Sequence, residues 1–485
     1  MGVDTRTVEC DLAILGGGPA GYAAALYASR LGLKSAIVER DKVGGVCLHK
    51  GCIPTKHFLE VGELLRSLRS SKDFGILLPG EANLDWAAVM ERKSAVVGQL
   101  HRGLEGLLKK AGARLVQGEG KLREDGSVGV STPEEELVVQ PRLGTLVATG
   151  SRPKDLPVLA WDGETVLFSD EALTIPEIPK RLVVVGAGSV GLEAASYFRD
   201  FGSEVVVLEV LSRALPGADE ECVNLLVGAF RSRGIRLEFE AKVLGLRSEA
   251  GKSSDAAASE TAQVAVVCET CDGKEEVFPC DVVLLAVGRV PNTEGIGLEQ
   301  AQVLVEKSGH IKVDPTTMQT SNPRIWAAGD VVATPALAHV AFAEGMVAVR
   351  SMVGEDPRPL DYSKVPVCVY SYPEVAYAGL SEEEAASLYG AEKVRVAKVP
   401  YGANSRASIM GQRRGMLKVV ASSDGPVLGI HIVGHMASEL LSPGYLSVNW
   451  EALPGDVAAF IQPHPTLSEM YGEAAMALEG RPLHG

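Results

Sequence analysis

Cys47 and Cys52, five positions apart in GGVCLHKGCIPTK (residues 44–56), are the side chains of this sequence whose type and spacing point most directly to chemistry. Such a pair has three uses. Thiols can fill a core as small hydrophobes, they can join other ligands around zinc, or they can open and close as a disulfide. His49 and His57 flank the pair without forming a recognisable zinc spacing. Position favours redox chemistry, because Cys52 and Pro54 stand at the expected start of a helix. The partial positive charge there stabilises a thiolate, the reactive form, and proline suits the first turn. Far along the chain, HPTLSE offers His464 and Glu469. Histidine changes charge most readily near neutrality and can take a proton from a thiol and return it. A carboxylate five residues on can hold the ring and stabilise its charged form, as in triad logic. Taken alone, a histidine before proline is an ordinary loop residue.

Two glycine-rich turns supply the frame for such chemistry. In CDLAILGGGPAGYAAALYASRLGLKSAIVER a short apolar run, a glycine turn, an alanine-rich helical stretch and a second apolar run end in Glu39. Gly16, Gly18 and Gly21 suit a tight turn, close approach of the backbone to a pyrophosphate and close helix–strand packing. Glu39, 23 positions past Gly16, is where a carboxylate accepts hydrogen bonds from a ribose. The same grammar returns in RLVVVGAGSVGLEAASYFRDFGSEVVVLEV, with Gly186, Gly188, Gly191 and the closing Glu209. A carboxylate at Glu209 favours the 2'-hydroxyl of NAD and repels the 2'-phosphate of NADP, although Arg213 is close in sequence. The bland alternative for either turn is a glycine loop without a ligand. Two copies predict two dinucleotide-binding folds of the Rossmann type.

Between the copies, residues 85–112 have helical periodicity and residues 127–139 alternate like a meander, while the proline-bearing EALTIPEIPKR reads as a linker. The small polar stretch SEAGKSSDAAASETAQ (248–263) predicts a mobile surface insertion. From about Leu360 onward β-rich and helical runs mix in a separate C-terminal domain. Cys268 and Cys271 form a C-x-x-C near Cys280, with Asp272-Gly273 suggesting a hairpin. No second ligand pair accompanies them, so a structural role is expected over a zinc site or regulatory disulfide. At 485 residues the chain predicts three or four compact units. Its start lacks a secretory pattern, and no window is apolar enough to span a membrane, so a soluble cytoplasmic protein is expected. Eight cysteines are too few for a disulfide scaffold. A formal charge of -15 with no concentrated basic stretch argues against a nucleic-acid partner.

Over nearly its whole length the chain resembles the pyridine nucleotide-disulfide oxidoreductases, most closely their branch that oxidises dihydrolipoyl groups with NAD. GGVCLHKGCIPTK is similar to the family's redox-disulfide signature, ATGSRP and AAGDV to its two FAD-associated motifs, and HPTLSE to its C-terminal catalytic motif. The resemblance implies an α/β fold with FAD and NAD domains of Rossmann type and an α+β C-terminal dimerisation domain. The corresponding boundaries are 1–155 for FAD and the redox pair, 156–284 for NAD, 285–358 completing the FAD domain, and 359–485 for the interface. It implies that Cys47 meets substrate and Cys52 faces the flavin, and that Lys56 lies near flavin N5 and pairs with Glu193. It places Gly120, Thr149, Gly150, Ser151, Asp330, Ala336, Leu337, Ala338 and His339 at FAD, and Val243, Gly288 and Glu193 with the second glycine loop and Glu209 at NAD. His464, held by Glu469, would serve the opposite subunit of a homodimer, and the substrate would be the lipoyl domain of a 2-oxo acid dehydrogenase complex. Val46 replaces a usual threonine, Gln462 a frequent histidine, and LSPGYLSVNWEALPGDVAAF is an unusual approach to the motif. Within the family, the absence of cysteine after Cys368 argues against mercuric reductases and the larger thioredoxin reductases. Glu209 argues against an NADPH-dependent glutathione reductase, and two cysteines against the single-cysteine NADH oxidases and peroxidases. A catalytically silent FAD-binding scaffold is the rival of a different class.

Overall fold

The computed structural model describes residues 6–248 and 264–484 and divides into two compact units. Apart from Ser248, the expected insertion at 248–263 lies outside the described residues. One unit comprises Met1–His57, Ala87–Lys154 and Arg289–Tyr362. Its main sheet runs in the order Arg114–Gln117, Ser35–Glu39, Arg6–Leu15, Glu136–Val147, Val128–Ser131, Glu119–Leu122. The first three pairings are parallel and the last two antiparallel. The expected meander therefore hangs from the edge of a parallel sheet. Ile325–Ala327 joins in parallel beside Thr145–Val147.

The strand Arg6–Leu15 explains its own apolar run, because side chains alternate between two covered faces. Leu12 and Ile14 pack with Ala24, Ala25 and Ala28 of the helix Pro19–Arg30. Ala13 and Leu15 pack on the other side with Val128, Val130 and Val139. Alanines bring the first helix near the sheet, and a second helix, Ala338–Met352, crosses it closely: a Cβ on Gly345 would stand 2.5 Å from the Ala20 carbonyl oxygen. The stretch with helical periodicity forms the helix Trp86–Lys110.

The other unit comprises Phe58–Trp86, Asp155–Gly288 and Ser363–Gly485. It contains a parallel sheet ordered Arg236–Glu238, Glu204–Leu208, Arg181–Val185, Val282–Leu285, Val166–Leu167. The helix Ser189–Phe201 packs its Tyr197 and Phe201 against the ring of Phe58. Val264–Glu269 and Glu275–Cys280 form the expected hairpin, turning at Gly273 with φ +74°. Cys268 and Cys280 are buried and Cys271 is exposed, which separates the C-x-x-C thiols between core and turn. A five-stranded antiparallel sheet, Val367–Val369, Glu374–Gly379, Val427–Gly434, Met416–Ser422 and Val394–Pro400 in that order, carries the helices Ala437–Asn449 and Glu469–Leu478. On it Lys418, 2% exposed, reaches Asp219 at 2.8 Å and Glu382 at 2.7 Å. Asp219 in turn caps the helix Glu220–Ser232 through the N–H groups of Glu221 and Cys222.

Candidate active site

Cys47 lies on the short helix Gly45–Lys50, and Cys52 opens the helix Cys52–Arg69 across the break at Gly51. Their sulfurs are 2.6 Å apart, within reach of a covalent bond of about 2.05 Å. The chain can double back this way because Gly44 and Gly45 adopt φ of +105° and +58°, a region that favours glycine. Gly45 has a second reason to be glycine: a Cβ there would lie 2.8 Å from Gly18 Cα, so the redox helix starts directly against the first glycine turn. The Gly44 N–H also donates to the Gly17 carbonyl at 2.8 Å. Hydrogen bonding to Cys52, followed by burial, pushes the Cys47 thiol up, while the Lys56 cation pulls the other way. The phenol of Tyr22 is pushed up to about 12 by burial and then by the two neighbouring sulfurs. Tyr22 follows Gly21 directly, and its partnership with the thiols was not visible in the sequence pattern. His49 and His101 turn ring nitrogens toward the Val43 carbonyl at 2.9 and 3.2 Å, which gives His49 a structural task instead of a metal. Among the described residues no group of three or more His, Cys, Asp or Glu side chains is gathered for a metal ion.

The two glycine turns repeat one another bond for bond. Gly16 N–H donates to the Val38 carbonyl at 2.9 Å and Gly186 N–H to that of Leu208 at 2.8 Å. A Cβ on Gly21 or on Gly191 would meet the carbonyl oxygen of Gly16 or Gly186 at 2.0 Å, so the helix must ride on the turn. Glu39 accepts from the Gly17 N–H at 2.7 Å and the Asp41 N–H at 2.9 Å; Glu209 accepts from Ala187 at 2.6 Å and Leu211 at 2.8 Å. The middle glycines differ from these. A Cβ on Gly18 or Gly188 would meet nothing within 4 Å, so protein packing leaves open the side where a pyrophosphate passes. That open side above a helix N-terminus fits a dinucleotide in both copies.

The remaining residues expected at FAD lie in the first unit. Thr149 and Asn292 exchange bonds of 2.7 and 3.0 Å, and Ser151 donates to Asp330 at 2.5 Å while accepting from Arg289 at 2.7 Å. The structure thus brings ATGSRP and AAGDV together through the Ser151–Asp330 bond, with Arg289 beside both and Asn292 bracing Thr149, none of which local motifs could reveal. Gly150 has φ +70° with open space around it. Gly120 is packed against Leu15, Val38 and Val128, where a Cβ would come within 2.5 Å of Leu15 Cδ1. Ala336 and Leu337 lead into the helix that Ala338 and His339 begin. Glu344, fully buried on this helix, accepts from the Gly329 N–H at 2.7 Å and the Tyr362 hydroxyl at 2.9 Å and so holds the turn before Asp330. In the second unit Glu193 is buried and accepts from the Tyr370 N–H at 2.9 Å. Val243 lies on the strand Lys242–Ser248, and Gly288 has φ +113° with nothing near its Cβ position.

His464 is well exposed, and its Nδ1 meets Glu469 Oε1 at 2.8 Å. Glu469 Oε2 accepts from the Thr466 N–H at 2.8 Å. Burial opposes ionisation of Glu469, but the Thr466 N–H and the imidazole outweigh it and hold the carboxyl below its ordinary value. With Nδ1 engaged by Glu469, Nε2 is the ring nitrogen that can act as a base. Gln462 packs over Gly472, where a Cβ would come within 2.9 Å of its Cγ.

Paired dinucleotide turns, a thiol pair beside the first and a histidine held by a carboxylate define a nucleotide-linked oxidoreductase that works through a disulfide. The chain belongs to the pyridine nucleotide-disulphide oxidoreductases, whose family pattern matches residues 10–345 and whose dimerisation domain matches residues 365–475. It is 39% identical to a dihydrolipoyl dehydrogenase of Bacillus subtilis (strain 168), covering 98% of this chain and 99% of that protein. It is 36% identical to the mitochondrial dihydrolipoyl dehydrogenase of Pisum sativum, covering 98% and 93%. Among solved structures, LpdA from Mycobacterium tuberculosis superposes with a TM-score of 0.85 at 26% identity over 98% of this chain and 100% of that one. The flavoprotein disulfide reductase RclA from Escherichia coli, at 24% identity and a TM-score of 0.84 over 97% and 99%, shares the fold. Among the described residues no helix is long and apolar enough to cross a membrane.

Proposed function

We propose that this chain is a dihydrolipoyl dehydrogenase, oxidising the dihydrolipoyl group of a lipoyl domain from a 2-oxo acid dehydrogenase complex at the expense of NAD. The observation that carries the reading is the bonding-range thiol pair, Cys47 and Cys52, built directly onto a dinucleotide turn. FAD is held by Gly16, Gly18, Gly21, Glu39, Gly120, Thr149 to Ser151, Asp330 and Ala336 to His339, and NAD by Gly186, Gly188, Gly191, Glu193, Glu209, Val243 and Gly288. Residues 1–155 and 285–358 form the FAD domain, 156–284 the NAD domain and 359–485 the interface. The match to a dimerisation domain supports a homodimer, in which His464 of one subunit serves the thiols of the other. The sparse cysteines fit a cytoplasmic setting.

Turnover begins with Cys47 and Cys52 joined. His464 Nε2 removes a proton from one substrate thiol, while Glu469 fixes the ring and stabilises the imidazolium. The substrate thiolate attacks Cys47 Sγ, the Cys47–Cys52 bond breaks, and Cys52 leaves as a thiolate. The second substrate thiol then displaces Cys47, closing the lipoyl ring and leaving both electrons on the enzyme's two sulfurs. Lys56 adds positive charge near the pair. Bound FAD and NAD supply the two-electron chemistry that returns the sulfurs to the disulfide.

Steady-state reduction of lipoamide and of glutathione disulfide, each with NADH and NADPH, tests the reading. Preferred turnover of lipoamide with NADH is expected, since Glu209 disfavours a 2'-phosphate. Preference for glutathione disulfide with NADPH would move the protein to a glutathione reductase-like role, and a yellow protein inactive with both acceptors would make it a silent scaffold.

A further inference from the structure

Asn404 lies about sixty residues before the His464 turn in sequence, yet its side chain is bonded into that turn. Its amide donates through Nδ2 to the Thr466 carbonyl at 2.9 Å, and its Oδ1 accepts from the Ala407 N–H at 3.0 Å, capping the short helix Ser405–Ile409. Thr466 is therefore gripped at both ends of its backbone. Its carbonyl oxygen is bound by Asn404, and its N–H is bound by Glu469 Oε2, whose other oxygen holds His464 Nδ1. The Thr466 hydroxyl adds a bond to the Pro463 carbonyl at 2.8 Å.

The base from which Asn404 reaches is rigid. Its N–H donates to the Tyr401 carbonyl at 3.0 Å, and Tyr401 is fully buried with its hydroxyl on the His435 carbonyl at 2.9 Å. The Tyr401 ring lies against Gly434 and Gly415, where a Cβ would come within 2.4 and 2.9 Å of ring carbons. Asn404 itself is 8% exposed, whereas His464 lies exposed on the single chain, so the buried anchor of the chain of bonds is Asn404. Glu469 has one other charged neighbourhood on its helix: Glu473, one turn on, is paired with His484 at 2.7 Å. His484 also acts through its charge on Glu469, but the hydrogen bonds that orient Glu469 come from the Thr466 N–H and His464.

We infer that Asn404 is a positioning residue for the His464–Glu469 pair, holding the Thr466 peptide so that Glu469 presents its second oxygen to the imidazole. The inference rests on the dehydrogenase reading above. Hydrogen-bonded chains of this type strengthen one another, and loss of the anchor frees the turn rather than a single bond.

The N-cap and the Thr466 anchor can be separated by substitution. Serine and aspartate cap helices about as well as asparagine but offer no N–H to the Thr466 carbonyl. In the FAD-loaded dimer, Asn404→Ser and Asn404→Asp are expected to lower lipoamide turnover by roughly ten- to a hundredfold, the range for a displaced catalytic group. Reduction of ferricyanide by NADH, which moves no thiol proton, is expected to stay at the wild-type rate. In Asn404→Ser the imidazole NMR resonances of His464 are expected to move and broaden as the 2.8 Å hold of Glu469 on Nδ1 loosens. Wild-type lipoamide turnover in both variants with unmoved His464 imidazole resonances would overturn the inference. Equal losses with lipoamide and ferricyanide would overturn it as well, as general damage. If wild-type protein reduces ferricyanide but not lipoamide, the dehydrogenase reading fails, and the His464 imidazole resonances alone still decide whether Asn404 governs that side chain.

Discussion

Gly45→Ala perturbs the junction where the redox helix meets the first dinucleotide turn, and its effect can be built from two separate terms. The first is conformational: φ of +58° is left-handed, which costs a residue with a Cβ about 1–2 kcal/mol. The second is contact. The new Cβ would stand 2.8 Å from Gly18 Cα, where carbon atoms rest at about 3.5–4.0 Å, so the two backbones must part by roughly 0.7–1.2 Å. Overpacking of this kind adds about 1–3 kcal/mol. Gly112→Ala isolates the first term, because Gly112 has φ +70° with nothing within 4 Å and ends the helix Trp86–Lys110. Denaturant unfolding should therefore show a loss of about 1–2 kcal/mol for Gly112→Ala and about 2–5 kcal/mol for Gly45→Ala. The displacement also reaches Cys47, two residues on, and a shift near 1 Å at a reacting group lowers turnover by about a hundredfold. Lipoamide turnover of FAD-loaded Gly45→Ala should fall accordingly, with Gly112→Ala unchanged. If Gly45→Ala lost no more stability than Gly112→Ala and kept wild-type turnover, the contact with Gly18 would have no mechanical role.

Lys418→Met should destabilise the protein by about 3–5 kcal/mol in denaturant unfolding, because Asp219, 2% exposed, loses its buried counter-charge. Adding Asp219→Asn, which keeps the helix cap, should recover much of that loss. Glu344 gives a pH test: burial raises its carboxyl above the ordinary 4.5, although the Gly329 N–H and the Tyr362 hydroxyl oppose the shift. The folded form then binds the proton more tightly than the unfolded one, so the wild type loses stability as pH rises from about 4.5 through the raised folded value. Glu344→Gln should gain on the wild type over that window, and parallel stability–pH curves for the two would refute the assignment.

Sequence reading reached those parts of the site whose residues lie close together in the chain. The glycine turns were legible because Gly21 and Gly191 are dictated by the carbonyl oxygens of Gly16 and Gly186, five residues back, whereas the crowding of Gly16 and Gly186 by the distant carbonyls of Ala148 and Ala286 was not. Cys47 with Cys52 and His464 with Glu469 are five apart in each case, a separation that one turn or helix start can close. Asn292, Arg289 and Asn404 escaped notice because their partners lie far off in sequence and no period or spacing links them. Tyr22 escaped for another reason: an aromatic residue on an alanine-rich helix reads as packing, and only the doubled-back Gly44-Gly45 segment puts sulfur beside it. The helix-start argument concerned Cys52; its partner Cys47 is pushed up by its hydrogen bond to Cys52 and by burial, which no sequence spacing showed.

The strand Glu136–Val147 has its far edge filled in two parts, by Val128–Ser131 along its first half and by Ile325–Ala327 beside Thr145–Val147. During synthesis the second part arrives late. At roughly 5–20 residues per second the ribosome takes on the order of 10–35 s to make residues 148–324. For that interval the nascent sheet carries a short bare edge of the kind that invites pairing with other chains. Ser151 waits as long for its partner Asp330, so chaperone dependence should concentrate in that window.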